Sequence, residues 1–373
     1  MSARRQAAPL PLEGRATAEG SARLVARHAA RYREDFYRPL GDGGLRVSSI
    51  GMGTYLGDCS DDDDRRYATT MRAALERGVN LLDTAINYRC QRSERVVGRA
   101  LARAIRGGVA SRDEVIVCTK GGYIPLRDTA PASREEYWEY VTREYFDRGV
   151  MTPEDVVAGA HCLAPSYLAD QIARSRANLG LRTIDVYYLH TPEQQLDAIP
   201  ASALADRLGA AFALLEERCA IGEVACYGCS TWNGFRVAPD ARGHLSLATL
   251  VALAREAGGD DHHFRVVQLP VNLAFTEAVR TPTQRLDDGR MVPLLQAATE
   301  LGIAVVASAS LLQGTLHTGL PAALHQAIPG LATDAQRAIA FVRSLPVLSS
   351  ALVGMKTVKH LEENLEGSEK ARA

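Results

Sequence analysis

The sequence predicts a (β/α)8 barrel, in which eight parallel strands alternate with eight helices. Short, mostly apolar runs recur along the chain, and segments with helical periodicity separate them. Apolar residues make up 46% and charged residues 23% of the 373 residues, which suits one large buried core. Because parallel strands are buried on both faces and their crossovers are right-handed, eight such units close into a barrel. A doubly wound open sheet is the alternative on pattern alone.

The N-terminal part of the chain predicts an extension followed by a hairpin. Residues 1–34 lack the apolar stretch of a secretory signal and are expected to be partly helical or disordered, with a short surface helix over 21–33. Residues 35–373 are expected to form a single barrel domain. The Asp42-Gly43-Gly44 turn permits positive φ and predicts a hairpin that plugs the N-terminal mouth of the barrel.

The barrel elements follow in order. Strands are predicted over residues 47–54, 79–84, 114–119, 184–190, 223–230, 265–269, 303–308 and 351–355. A helix is expected over 64–77, with acidic residues before its first turn and Gly78 at its end. Ser93 is the candidate cap of the helix that contains Val96 and Leu101. Ser166 is the candidate cap of the helix that contains Leu168 and Leu179, and Gly180 is expected to end that helix.

A long, aromatic-rich segment separates the third strand from the helix that follows it. Residues 122–164 exceed an ordinary βα loop and lie on the side where barrel active sites form. We expect an insertion that acts as a partly helical lid over a substrate pocket. A helical hairpin that buries its own aromatic residues, or an oligomer contact, is the alternative.

Four reactive side chains fall at or just after three successive strand ends. Asp83 ends the second strand with Tyr88 just after it, Lys120 ends the third, and His190 ends the fourth. Carbonyl reduction by hydride needs a proton donor, and a phenol with a pKa of about 10 is a weak one at neutral pH. A neighbouring ammonium lowers that pKa, a carboxylate keeps the ammonium charged, and imidazole can polarise the carbonyl. Any one of these residues alone would more often have a structural than a catalytic role. The hypothesis of a catalytic site therefore rests on their joint placement at successive strand ends.

The local sequence resembles the aldo-keto reductase superfamily. The resemblance lies in Asn80-Leu-Leu-Asp83-Thr-Ala-Ile-Asn-Tyr88, Ser93-Glu-Arg-Val-Val-Gly98, Thr119-Lys120-Gly121-Gly122 and Ile184-Asp-Val-Tyr-Tyr-Leu-His190-Thr-Pro-Glu193, and extends over roughly residues 35 to 365. It implies that Asp83, Tyr88, Lys120 and His190 are a catalytic tetrad. It also implies an NADP(H)-dependent oxidoreductase that reduces an aldehyde or ketone to an alcohol, with Tyr88 as general acid.

The resemblance also implies a cofactor site without a Rossmann motif. Its candidate residues are Gly53, Thr54, Asp83, Ser230, Thr231, Gln268, Ser308, Leu311, Gly314, Gly354, Lys356, His360, Glu363 and Asn364. Thr231 stands where the family usually has Asn, and Ser308 where it usually has an aromatic residue that stacks on the nicotinamide. Lys356 is the candidate for the 2′-phosphate, so NADP(H) is favoured over NAD(H). Tyr55, Tyr123 and Trp232 are the candidate substrate contacts.

The composition narrows the remaining possibilities. A net charge of −1 gives no electrostatic field that would attract nucleic acid or an anionic membrane, so neither is an expected partner. The seven scattered cysteines do not resemble the disulfide framework of a secreted protein, so the expected location is the cytoplasm. A small carbonyl or alcohol is the expected partner, and the oligomeric state is open. The acidic run 61–64, the single Cys226-x-x-Cys229 pair and the segment 260–263 do not indicate a metal site. A cofactor-binding regulatory protein and a Schiff-base lyase acting through Lys120 are the competing functions.

Overall fold

A computed structural model of the chain describes residues 11–370. The first ten residues of the expected N-terminal extension and the last three of the expected barrel domain therefore lie outside the described residues. In chain order the strands are β1 (Tyr37–Pro39), β2 (Arg46–Ser48), β3 (Ile50–Gly53), β4 (Leu81–Asp83), β5 (Ile116–Gly121), β6 (Ile184–His190), β7 (Val224–Ser230), β8 (Phe264–Pro270), β9 (Gln284–Arg285), β10 (Met291–Val292), β11 (Ala304–Ser308) and β12 (Leu348–Gly354). Strands β3 to β8, β11 and β12 form a closed parallel barrel, which confirms the predicted fold.

Helices follow the barrel strands and surround them. They are α1 (Ala18–His28), α2 (Asp61–Glu76), α3 (Arg92–Arg106), α4 (Arg134–Val141), α5 (Pro165–Leu179), α6 (Ala201–Ala220), α7 (Leu247–Gly258), α8 (Glu277–Arg280), α9 (Leu294–Glu300), α10 (Ala322–Ala327), α11 (Asp334–Ser344) and α12 (Val358–Glu366). Between residues 11 and 370, none of these helices has the length and apolar character needed to cross a membrane.

The first predicted strand is wrong in its extent because it combines two elements. β2 pairs antiparallel with β1 in the hairpin, and only β3 belongs to the barrel. Ser48 ends β2, and its backbone N–H donates to Asn80 Oδ1 at 2.8 Å. An apolar run does not reveal that the chain changes direction at residue 49. Val47 is buried with Leu81 and Ile116 of the barrel interior, so the hairpin closes the N-terminal mouth as predicted.

Two predicted helix caps are wrong. Ser93 lies inside α3, where its hydroxyl donates to the Thr54 carbonyl at 2.9 Å and so ties α3 to the loop after β3. Ser166 lies inside α5, which begins at Pro165. The predicted helix 64–77 begins three residues earlier, since the Ser60 hydroxyl caps it. Gly180 ends α5 with φ +62°, as predicted.

The N-terminal helix packs against the N-terminal end of the barrel. α1 is capped by the Thr17 side chain and ends at His28, so it is displaced from the predicted 21–33. Arg27 forms an ion pair with the buried Glu114 at 2.6 Å. Ahead of the helix, the Ala16 backbone N–H donates to Asp185 Oδ1 at 2.6 Å at the start of β6. The described part of the extension is therefore joined to the barrel by one buried and one partly buried polar contact.

The insertion 122–164 is partly helical, and its aromatic residues pack on one another and on α5. α4 continues into a π-helical turn over Thr142–Phe146. Tyr145 is fully buried and packs against Tyr140 and Tyr167 at ring separations of 6.2 and 5.7 Å. The Tyr137 hydroxyl donates to the Gly159 carbonyl at 2.8 Å. These contacts hold the insertion together, and its role as a lid stays a prediction.

Candidate active site

The barrel brings the four predicted catalytic residues to one mouth. Asp83 is the last residue of β4, Lys120 lies one residue before the end of β5, and His190 ends β6. Tyr88 lies in the loop after β4. Because parallel strands all point the same way, these ends converge at the C-terminal face, where barrel active sites form. The structure therefore places all four side chains where the sequence predicted them.

A buried ion pair underlies the site. Lys120 Nζ donates to Asp83 Oδ1 at 2.5 Å and to the Thr84 carbonyl at 2.9 Å. The other Asp83 oxygen accepts from Gln268 Nε2 at 2.8 Å, and Gln268 Oε1 accepts from the Ser230 hydroxyl at 3.0 Å. Asp83 thus links three strands, and each charge in the buried pair has a partner, which its burial requires.

The Tyr88 ring lies between Lys120 and the pocket. The Lys120 ammonium is 4.9 Å from the centre of the Tyr88 ring. The rings of His190 and Tyr55 meet Tyr88 edge to face, with centroids 5.7 and 5.1 Å away. A small molecule in the pocket can thus meet a phenol and an imidazole side by side.

Burial dominates the protonation of the site. Desolvation raises the pKa of Tyr88 above its ordinary value; the Lys120 ammonium lowers it, as the sequence predicted, but does not outweigh burial. Desolvation lowers the pKa of Lys120, but Asp83 and Tyr88 together outweigh it and the pKa ends above its ordinary value. Desolvation, aided by Lys120, lowers the pKa of His190 well below its ordinary value. The resting state is therefore a protonated phenol, a charged amine and a neutral imidazole. A charged Lys120 does not act as an amine nucleophile, which disfavours the Schiff-base alternative.

These residues open into a cavity of about 430 Å³. The predicted residues that line it are Gly53, Thr54, Tyr55, Asp83, Tyr88, Tyr123, His190, Ser230, Thr231, Trp232, Gln268, Ser308, Leu311, Gly314 and Gly354. Lys120 lies beneath it, fully buried. Of the insertion 122–164, Tyr123 alone is among the lining residues that the structure describes. Tyr55 and Trp232 are partly exposed, at 54% and 39%, so they form the rim.

The predicted adenosine-end residues lie outside this cavity lining. Lys356, His360, Glu363 and Asn364 sit on or just before α12, beyond the end of β12. Lys356 Nζ pairs with Asp63 at 3.1 Å. Desolvation raises the pKa of Asp63, but hydrogen bonds from the Asp58 backbone and Lys356 outweigh it, so the pKa ends below its ordinary value. The predicted phosphate ligand thus already has a charged partner.

Sequence reasoning missed several lining residues. They are Leu56, Asn87, Thr191, Ala309, Ser310, Gln313 and Leu352. Asn87 and Thr191 are neighbours of Tyr88 and His190, so their positions in the quoted motifs were a usable signal. The loop after β11 offered no such signal. Ala309 and Gln313 adopt positive φ (50° and 54°), which is uncommon for these residue types and could not be predicted from the sequence.

Several polar atoms in the cavity wall have no partner within the part of the chain described. They are Thr231 Oγ1, Ser310 Oγ, Asn87 Oδ1 and His190 Nδ1. Buried polar atoms nearly always have hydrogen-bond partners, so unpartnered ones in a cavity wall indicate a polar ligand. Over residues 11–370 no cluster of three or more His, Cys, Asp or Glu side chains could hold a metal ion.

Comparison with known proteins places this site in a family. The sequence model of the Aldo/keto reductase family matches residues 49–320. The chain belongs to this family. Aldo-keto reductase YhdN of Bacillus subtilis is 37% identical over 87 residues, which cover 22% of this chain and 25% of that protein. The NADH-specific methylglyoxal reductase of Escherichia coli is 29% identical over 157 residues, 41% of this chain and 40% of that protein. The matched segments therefore span less than half the length of these aldo-keto reductase relatives.

Solved aldo-keto reductase structures share the fold. The aldo/keto reductase from Klebsiella pneumoniae in complex with NADP and acetate superposes with a TM-score of 0.58 at 20% identity, covering 89% of each chain. The glycerol dehydrogenase AKR11B4 from Gluconobacter oxydans gives a TM-score of 0.60 at 17% identity, covering 91% of this chain and 92% of that one. At these identities the likeness supports the barrel fold, in agreement with the prediction.

Proposed function

We propose that this chain is an NADP(H)-dependent oxidoreductase that reduces an aldehyde or ketone to an alcohol, with Tyr88 as general acid. The observation that carries the proposal is the buried Lys120–Asp83 pair beneath a Tyr88 ring that faces the cavity beside His190. Family membership and the NADP held by the Klebsiella pneumoniae neighbour support the same function.

The side chains divide the work of carbonyl reduction. A bound nicotinamide dinucleotide supplies the hydride. The neutral His190 imidazole donates a hydrogen bond to the substrate carbonyl oxygen and draws electron density onto it. The Tyr88 hydroxyl transfers its proton to that oxygen as negative charge develops there. The Lys120 ammonium, kept charged by Asp83, stabilises the phenolate that is left.

The unpartnered polar atoms fit a dinucleotide. Thr231 and Ser310 line the cavity and have hydroxyl oxygens without a partner in the described part of the chain, and Ser230 and Gln268 line the same cavity. These side chains would hold the carboxamide end, with Gly53, Thr54, Ser308, Leu311, Gly314 and Gly354 forming the surrounding backbone wall. Lys356, His360, Glu363 and Asn364 would hold the adenosine end, with Lys356 on the 2′-phosphate.

The rim residues would select the substrate. Tyr55, Tyr123 and Trp232 contribute three large aromatic surfaces to one cavity. Tyr123 packs edge to face on His190 at 5.0 Å, so it also borders the carbonyl position. An aromatic-lined opening favours a flat or apolar group on the substrate carbonyl.

The direct test follows NADPH oxidation with an activated aromatic aldehyde. The wild-type protein should turn over, with NADH the poorer donor, and Tyr88→Phe should lose about 10²-fold or more because it keeps the ring but not the proton. The Tyr88→Phe protein should still bind NADPH. If the wild-type protein binds NADPH tightly but turns over none of a broad carbonyl panel, the competing cofactor-binding regulatory function replaces this one.

A further inference from the structure

Two free thiols meet at the mouth of the barrel. Cys59 lies in the loop between β3 and α2 and is exposed, while Cys90 lies in the loop between β4 and α3 and is buried. Their sulfur atoms are 3.1 Å apart. A disulfide needs about 2.05 Å, so closing this pair requires a movement of roughly 1 Å. The two sulfurs are therefore already placed for bond formation.

The surrounding residues build this contact from both sides. Cys90 is the middle of three consecutive residues with positive φ, Arg89 at 49°, Cys90 at 53° and Gln91 at 67°. Such a run is uncommon for residues other than glycine and persists only where other contacts fix it. Arg89 supplies them: Nε donates to the Asp58 carbonyl at 2.8 Å and Nη2 to the Ser60 carbonyl at 3.3 Å. These two carbonyls flank Cys59, so one guanidinium holds both thiol-bearing loops together.

The two loops also carry residues of the candidate active site. Cys90 follows Tyr88 by two residues, and Cys59 follows Tyr55 by four. The rings of Tyr55 and Tyr88 touch edge to face at 5.1 Å. A bond between the sulfurs would therefore join covalently the two loops whose aromatic residues meet in the cavity.

We propose that Cys59 and Cys90 form a modification site at which a hydroperoxide oxidises the two thiols to a disulfide. In the first step the Cys59 sulfur attacks a peroxide oxygen, the O–O bond breaks, and water leaves (an alcohol for an organic peroxide). In the second step the Cys90 sulfur attacks the Cys59 sulfenic acid, the S–O bond breaks, and a second water leaves. The two thiols lose two electrons and two protons, and one hydrogen peroxide becomes two waters.

The environments of the two thiols assign their order of reaction. Cys59 is exposed and can meet a peroxide from solvent. Cys90 is buried, so it does not meet a peroxide from solvent, and its sulfur lies 3.1 Å from that of Cys59, where a sulfenic acid would form. Cys90 therefore acts in the second step. Burial, together with the contact to Cys59, raises the pKa of the Cys90 thiol to about 12, which slows that step. The cytoplasm expected from the sequence is reducing, where disulfides of this kind are transient and sense oxidants.

The experiment treats the full-length, reduced protein with one equivalent of hydrogen peroxide and maps thiols by differential alkylation and peptide mass spectrometry. We expect a cross-linked Cys59–Cys90 peptide that dithiothreitol removes. Because the bond closes a loop between residues 31 apart, Tm should rise by about 5 °C and fall again on reduction. In Cys59→Ser both effects should vanish, and in Cys90→Ser a sulfenic acid at Cys59 should accumulate and react with dimedone.

The matched control is Cys219→Ser, which removes a half-buried thiol of α6 and should leave the cross-link and the Tm rise unchanged. Oxidation of Cys59 directly to sulfinic or sulfonic acid, with Cys90 still open to alkylation after unfolding, would overturn the proposal. Cross-linking that persists in Cys59→Ser would also overturn it. Cys59 is exposed, so this variant keeps the test decisive even if Cys90→Ser does not fold.

Discussion

Single residues at the mouth of the barrel are kept in fixed protonation states by burial. The pKa of Tyr88 is raised above its ordinary value, and that of His190 is lowered well below its ordinary value. Tyr88 therefore titrates on the alkaline side of neutrality and His190 on the acid side. Reduction needs the phenol protonated and the imidazole neutral. A phenol with a raised pKa stays protonated until pH passes above its ordinary value of about 10, and an imidazole with a lowered pKa is neutral throughout the neutral range.

The pH profile of reductive kcat/KM should therefore be flat across neutrality. It should fall only on the alkaline side, as Tyr88 loses its proton, and on the acid side well below the ordinary histidine value of about 6.5. Steady-state rates in a constant-ionic-strength buffer series, with the stability of the protein checked at each pH, measure this. A limb centred between about pH 6 and 8 in the wild-type protein would contradict the assignment.

Lys356 and Asp63 together set the expected choice between dinucleotides. Lys356 is about one-third exposed while Asp63 is nearly buried, so the carboxylate cannot move away from an incoming phosphate. In Lys356→Met the dissociation constant for NADPH should rise at least tenfold, with that for NADH nearly unchanged. Asp63→Asn should instead lower the NADPH constant, because it removes a negative charge from the same place. Fluorescence titration measures both, independently of turnover.

Lys359→Met is the matched control for this pair of variants, since Lys359 lies three residues after Lys356, in the first turn of α12, and is exposed. It should change neither constant. Equal weakening of NADPH and NADH by Lys356→Met would mean that the lysine holds a group common to both dinucleotides.

The positions of the proposed catalytic residues were predictable because each lies at or just after a strand end and within a local motif. Asp83, Lys120 and His190 follow apolar runs whose direction the barrel fixes, and a parallel barrel has one mouth for all of them. The Asp63–Lys356 pair was not predictable, because its members lie 293 residues apart and meet only when β12 closes on β3.

At the scale of elements, the insertion 122–164 supports the fourth barrel strand through a buried polar chain. Arg207 Nη1 donates to Gln195 Oε1 at 2.5 Å, and Gln195 Nε2 lies 2.8 Å from His161 Nδ1. His161 Nε2 lies 2.7 Å from the His190 carbonyl. Because Gln195 uses its oxygen to accept from Arg207, its amide donates to Nδ1, and the Nε2–H of His161 donates to His190. Burial lowers the pKa of His161 to about 4, so this neutral tautomer persists at neutral pH.

His161→Phe should therefore lower kcat by about tenfold or more, since it keeps a ring but leaves the His190 carbonyl without its partner. The variant should bind NADPH as the wild-type protein does. His244→Phe is the control, because His244 makes the same kind of bond, Nε2 to the Thr283 carbonyl at 2.7 Å, away from the cavity. A parallel loss of kcat in both variants would show that the effect is general destabilisation.

Elements were predicted more reliably in their existence than in their ends. The eight apolar runs identified the barrel strands, but the β2–β3 break and the start of α3 depend on contacts between distant segments. Serine is a common helix cap, yet the Ser93 hydroxyl donates a hydrogen bond to the carbonyl of Thr54 in another loop. Tertiary partners of this kind compete with local capping, and a single sequence does not display them.

At the scale of the whole molecule, the two ends of the barrel carry different tasks. The C-terminal mouth holds the cavity, and the N-terminal mouth is closed by the hairpin, α1 and a buried ion pair. Asp185 Oδ2 accepts from Arg112 Nη2 at 2.7 Å and from the Val117 backbone at 2.9 Å, and Oδ1 accepts from Ala16. Asp185 lies five residues before His190 on β6, about 16 Å at 3.3 Å per residue. Substitutions at the N-terminal end of the barrel should therefore change the stability of the protein and leave its catalytic rate unchanged.

Asp185→Ala should lower the free energy of unfolding by about 3–5 kcal/mol, because it leaves the Arg112 guanidinium buried without its carboxylate. The kcat and KM of the molecules that remain folded should equal those of the wild-type protein. Denaturant unfolding followed by tryptophan fluorescence, with turnover normalised to the folded fraction, separates the two quantities. Arg23→Ala is the control, because its ion pair with Asp113 lies at the same end but is exposed, and it should leave stability unchanged within error. A loss of kcat in folded Asp185→Ala would show that the two ends are coupled through β6, since that strand carries both Asp185 and His190.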